Sequence, residues 1–89
     1  MDGATIIYSS NGLIDAGTSE INIGKHTSAI YFMNTSATAI IITLNSTFKV
    51  YIPGTPSTNW AAEYYCIEGD YTRFQSNSTN STLSVYAVA

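Results

Sequence analysis

Apolar residues recur in this chain with a period of two, in short runs broken by Gly, Pro, Asn and Ser, and that pattern belongs to strands rather than helices. In Ala39-Ile40-Ile41-Ile42-Thr43-Leu44, the side chains of Ile40, Ile42 and Leu44 share one face and Ala39, Ile41 and Thr43 the other. Both faces carry apolar atoms, which marks a central strand. Thr82-Leu83-Ser84-Val85-Tyr86-Ala87-Val88 alternates likewise, with Leu83, Val85 and Ala87 opposite Ser84, Tyr86 and Val88, so the last strand runs almost to the C-terminus. Strands are expected near residues 4–8, 20–23, 28–33, 37–44, 47–52, 63–67, 70–75 and 82–88. The expected fold is all-β, a small antiparallel β-sandwich or partly open barrel of about seven or eight short strands.

The connectors fit that scheme. Asn45-Ser46 reads as a tight hairpin, and Gly69 of Glu68-Gly69 supplies a residue tolerant of positive φ. Pro53-Gly54-Thr55-Pro56-Ser57-Thr58-Asn59 is a loop, because two prolines remove ladder donors. Residues 9–18 show weak periodicity, so the 89 residues read as one domain in which 1–27 contribute a strand and an irregular arm. At this length folding buries only roughly 60% of the unfolded chain's surface, and stability is marginal.

Charged residues make up 10% of the chain, against about 25% in an average domain, and Ser, Thr and Asn supply a third of all positions instead. Scarce charge fits a chain held in contact with copies of itself or with other proteins. Lys25, Lys49 and Arg73 are the only strong cations and the net charge is −3, so the basic footprint of a nucleic-acid binder is missing. Neither a signal peptide nor a membrane span is expected at the N-terminus.

No catalytic, cofactor-binding or metal-binding residue is expected. His26, the sole histidine, lacks the thiol or imidazole partners zinc requires and reads as a solvated turn residue. Glu63, Glu68 and Asp70 read as solvated charges at strand ends. Cys66 lies in the apolar run Tyr64-Tyr65-Cys66-Ile67 and is expected buried, with Tyr65 in the core and Trp60 left open between core and surface. Sequons begin at Asn34, Asn45, Asn77 and Asn80, a number the abundance of Asn, Ser and Thr accounts for.

The run Ser28-Ala29-Ile30-Tyr31-Phe32-Met33-Asn34-Thr35-Ser36-Ala37-Thr38-Ala39, then a second strand, then Ile67-Glu68-Gly69-Asp70-Tyr71-Thr72-Arg73-Phe74-Gln75-Ser76, resembles small β-sandwich virion proteins of tailed bacteriophages. The resemblance covers about residues 28–89. It implies a structural component of the particle, such as a decoration or cement protein, a head-fibre base or a tail-associated subunit, made in the host cytoplasm. The implied partners are capsid or other virion proteins and further copies of the chain, with no nucleic acid, membrane or cofactor. The alternative is a carbohydrate- or receptor-binding module in which Trp60 and nearby tyrosines stack on sugars. The expected partner interface comprises Ile6, Ile7, Tyr8, Leu13 and Ile14 of the arm with Pro53 and Trp60 of the loop. The arm can either cover its own sheet edge or lie across a neighbour as an added strand, and deletion of residues 1–18 is expected to spare the β structure and abolish assembly.

Overall fold

Alternation and turn chemistry resolve into eight strands in the computed structural model, which describes residues 5–17, 19–55 and 62–89. In chain order these are β1 (Ile6–Ser9), β2 (Ile21–Asn22), β3 (Ala29–Asn34), β4 (Ile40–Leu44), β5 (Phe48–Ile52), β6 (Tyr64–Glu68), β7 (Arg73–Ser76) and β8 (Leu83–Val88). They form two antiparallel four-stranded sheets, ordered β1-β8-β3-β6 and β2-β7-β4-β5, so the fold is the expected sandwich and not a closed barrel.

Inward positions of facing strands supply the core. Ile30, Phe32, Val85, Ala87 and Leu83 of the first sheet meet Ile40, Ile42, Leu44, Ile52 and Phe74 of the second, all buried. Phe32 and Phe74 pack edge to face across the gap, with centroids 5.6 Å apart. Tyr8 also packs edge to face with Phe74, with centroids 5.9 Å apart. Ile40 and Val85 thus occupy the core positions that the alternation assigns.

Polar side chains tie off the strand ends. Asn45 (φ 52°) and Ser46 (φ 65°) form a turn that Thr47 N–H closes on the Leu44 carbonyl at 3.1 Å, the geometry that suits right-twisted hairpins. Asn45 also accepts the Thr72 N–H at 2.9 Å and donates to the Asp70 carbonyl at 3.2 Å, which fastens the β4–β5 hairpin to the approach of β7. Asn34 is buried at the exit of β3, donating to the Thr38 and Pro53 carbonyls at 2.8 and 3.4 Å and accepting the Ser36 N–H at 3.0 Å. Ile41 N–H donates to Asn77 Oδ1 at 3.0 Å. Three of the four sequon asparagines therefore serve as backbone partners, Asn34 locally and Asn45 and Asn77 between segments distant in sequence.

The largest departure from the sequence reading concerns residues 5–17, which are not an appendage. β1 pairs with β8, with a bulge between Ile6 and Tyr8. Ser10 N–H donates to the Val85 carbonyl at 2.9 Å and Ile14 N–H to the Leu83 carbonyl at 2.8 Å. The chain then crosses to the second sheet, where Ser76 N–H donates to the Ala16 carbonyl at 2.9 Å and Ala16 is buried in the core. A Cβ on Gly17 would overlap the Ser78 carbonyl, so the crossing requires glycine. The weak periodicity of this stretch reflects a segment that leaves one sheet and joins another.

Deletion of residues 1–18 removes a strand, the crossing and a core residue, so the truncated chain is expected to lose cooperative thermal unfolding and β-type circular dichroism. Retained β structure would restore the arm interpretation. Asn34→Ala leaves the Ser36 N–H and the Thr38 carbonyl without partners and is expected to cost about 1–3 kcal/mol in denaturant unfolding; a change within error would show that water replaces the amide.

Candidate interaction surface

The outward face of the first sheet carries a cluster of tyrosines. Register places Tyr31 opposite Tyr86 and Cys66, and Met33 opposite Ser84 and Tyr64. Because β3 and β8 are buried inward and apolar outward, the sheet is hydrophobic on both sides. Tyr31 and Tyr86 stack with centroids 4.5 Å apart and planes 9° from parallel. Tyr64 meets Tyr86 edge-on at 4.9 Å, and its hydroxyl lies 2.8 Å from Ser84 Oγ. The small outward residues Ala29, Ser84 and Val88 are buried beside these rings. Ile6, paired with Val88 and 62% exposed, extends the patch onto β1.

The expected interface residues are thereby distributed over different surroundings. Ile6 and Leu13 are exposed, Ile7, Tyr8 and Ile14 pack against the core, and Pro53 is half-buried. Trp60 lies outside the described residues. Cys66 corrects the reading of a buried thiol: it is exposed on an edge strand, since β6 has a neighbour only in β3. Tyr65 points to the core side, yet remains 39% exposed for the same reason, so it is no core residue. Tyr31, Met33 and Tyr86 were assigned no surface role in the sequence, although the apolar character of both faces of their strands was a signal for one.

Glu63 and Glu68 are exposed. Asp70 is more engaged than a solvated turn charge, lying 2.8 Å from His26 Nδ1 and accepting the Thr27 N–H at 3.2 Å. Buried Thr27 completes the corner by donating to the Gly69 carbonyl at 2.8 Å and accepting the Tyr71 N–H at 2.9 Å. Among the described residues no group of three or more His, Cys, Asp or Glu side chains is placed to hold a metal. A polar depression of about 370 Å³ between the 36–40 and 77–80 segments has only Ser, Thr, Ala, Ile and Asn on its walls, with no ionisable side chain. Comparisons with protein-family models, curated proteins and solved structures find no match.

Two tyrosines have displaced acidities. Hydrogen bonding to Cys66 and charge on it, directly across the ladder, raise Tyr31 above the ordinary phenol value, and burial raises Tyr8. Neutral phenols are thus favoured in the folded state, and their contribution is complete below the ordinary value of about 10 and is lost as pH rises through the raised values. Ultraviolet titration is expected to show two late-ionising tyrosines, with Cys66→Ala returning Tyr31 toward normal. The native Cys66 thiol is also expected to react with a disulfide reagent at a rate close to that of the unfolded chain; strong protection would place it under cover.

Proposed function

We propose that this protein is a non-enzymatic structural component of a virion, a phage decoration or cement protein that lies on the outer capsid surface and braces contacts between subunits. The observation carrying this reading is the outward patch of Tyr31, Tyr64, Tyr86 and Met33. Tyr and Met are enriched in protein interfaces, where large and rather rigid rings fill pockets at low entropic cost. An acidic chain with three strong cations suits the outside of a particle better than its DNA-lined interior. The segments that resemble phage virion proteins coincide with β3, β4 and the β6–β7 connection, and they contribute Tyr31 and Met33 to the patch.

Bracing of this kind works by area and copy number. A standard interface covers on the order of 800 Å² per partner, and repetition over symmetric positions raises the avidity of modest contacts.

The paired substitution Tyr31→Ser and Tyr86→Ser is expected to leave the β circular dichroism intact while reducing copies per purified particle, counted by mass spectrometry, by more than about tenfold. Full occupancy by the variant would move the contact elsewhere. Absence of the wild-type chain from every particle fraction would contradict the virion reading itself.

A further inference from the structure

The two sides of the sandwich are finished differently. On the β1/β2 side, residues 10–17 run from β8 to β7 and bury Ala16. On the β5/β6 side Tyr71 bridges the sheets, stacking 6.2 Å from Phe48 while its hydroxyl donates to the Glu68 carbonyl at 3.0 Å, and at the far end Thr55 Oγ1 donates to the Asn34 carbonyl at 3.1 Å. Core-facing Phe48 remains 51% exposed there and Tyr65 39%.

The free backbone groups along this side are determined by the ladders. Ile41 and Asn45 bond toward β7, through Asn77 N–H to the Ile41 carbonyl at 3.0 Å and Asn45 N–H to the Arg73 carbonyl at 3.0 Å. By alternation Ile40, Ile42 and Leu44 bond to β5, and the N–H and C=O groups of Lys49 and Tyr51 point out from its edge. Thr35 N–H donates to the Thr82 carbonyl at 2.9 Å and Gly69 N–H to the Ser28 carbonyl at 2.9 Å. The same alternation directs Tyr65 and Ile67 to β3 and leaves the backbone groups of Tyr64, Cys66 and Glu68 outward.

We propose that the β5 and β6 edges form the self-association surface of a two-fold dimer, each β5 pairing with β6 of the second copy, Lys49 opposite Glu68 and Tyr51 opposite Cys66. The strands alternate in direction along the chain, so a two-fold axis parallel to them sets β5 antiparallel to the other β6 and continues each sheet into the opposite sheet of its mate. In this register every outward donor of Lys49 and Tyr51 meets an outward acceptor. The Glu68 carbonyl has a second lone pair besides the one that Tyr71 uses. Faces match as well: Val50 and Ile52 fall beside Ile67 and Tyr65 on the core side, which extends both cores across the axis.

Charge selects the register. Lys49 and Glu68 are exposed and, among the described residues, neither is in an ion pair, whereas Arg73 is already engaged by Glu20 at 3.4 Å. Sliding by two residues keeps the hydrogen bonds but sets Lys49 opposite Cys66 or removes it from the ladder. Pairing β6 with β6 would join one sheet only and bring the two Cys66 thiols face to face. The inference rests on no part of the virion reading, because it concerns the isolated chain.

Sedimentation equilibrium of the full chain over a concentration series tests it, with circular dichroism confirming that each variant is folded. The wild type is expected to dimerise, Lys49→Glu or Glu68→Lys to weaken the dimer by more than about tenfold through two like-charged cross-strand pairs, and the double exchange to restore it. A wild-type monomer at every concentration, or an exchange that does not rescue, overturns the proposal. Cross-linking supplies a second reading, since directly opposed hydrogen-bonded residues have Cα atoms about 5.5 Å apart, within disulfide range. Oxidation is expected to link Tyr51→Cys dimers through Cys66, with the link lost on adding Cys66→Ser, and to leave the wild type unlinked. A wild-type Cys66–Cys66 dimer overturns the register in favour of β6–β6 pairing.

Discussion

A sandwich of two four-stranded sheets has as many edge strands as interior ones, and the handling of those edges governs the rest of this structure. Exposed edges offer unpaired backbone groups to any passing strand, so a small open sandwich must cover them or use them. Residues 5–17 tie the two sheets together along one side, pairing with β8, crossing the gap and ending against β7, and in doing so they bury Ala16 and pack Tyr8 against the core. The opposite side, bounded by β5 and β6, retains half-exposed core-facing rings. Among the described residues that asymmetry sets one side laced by backbone hydrogen bonds against another that keeps core-facing rings exposed.

Low charge is workable here because hydroxyl and amide side chains do the work at strand ends. Asn45 and Asn77 satisfy backbone groups of distant segments, Asn34 accepts the Ser36 N–H, and Ser36, Ser76 and Ser78 likewise accept N–H bonds two residues along. Such short-range bonds fix loops without the solvation demands of ion pairs. The Ser, Thr and Asn content that separates this chain from an average domain is therefore largely structural.

The strands were legible in the sequence because period-two alternation is a direct image of the pleat, and all eight expected runs overlap an observed strand. Ile40, Ile42, Leu44 and Val85 could be assigned inward positions from one strand at a time. Lateral order was not legible. Cys66 and Tyr65 look like core residues in an apolar run, but the register turns Cys66 outward beside Tyr31 and the placement of β6 at an edge leaves Tyr65 part-exposed. Residues 10–17 lack alternation because they bridge two sheets, a role invisible to any pattern within one strand. The tyrosine patch escaped for a related reason: one apolar face per strand implies a core, and a second apolar face becomes informative only once the sheet is known to have nothing packed on its far side among the described residues.

Residue-resolved amide hydrogen exchange at low and high protein concentration tests the two-sided account most directly. The account predicts slow exchange at both concentrations for Ser10, Ile14 and Ser76, whose N–H groups lace the β1/β2 side. It predicts fast exchange in dilute solution for Lys49, Tyr51, Cys66 and Glu68, slowing as concentration rises. Fast exchange at Ile14, or exchange at Tyr51 and Cys66 that does not change with concentration, would contradict it.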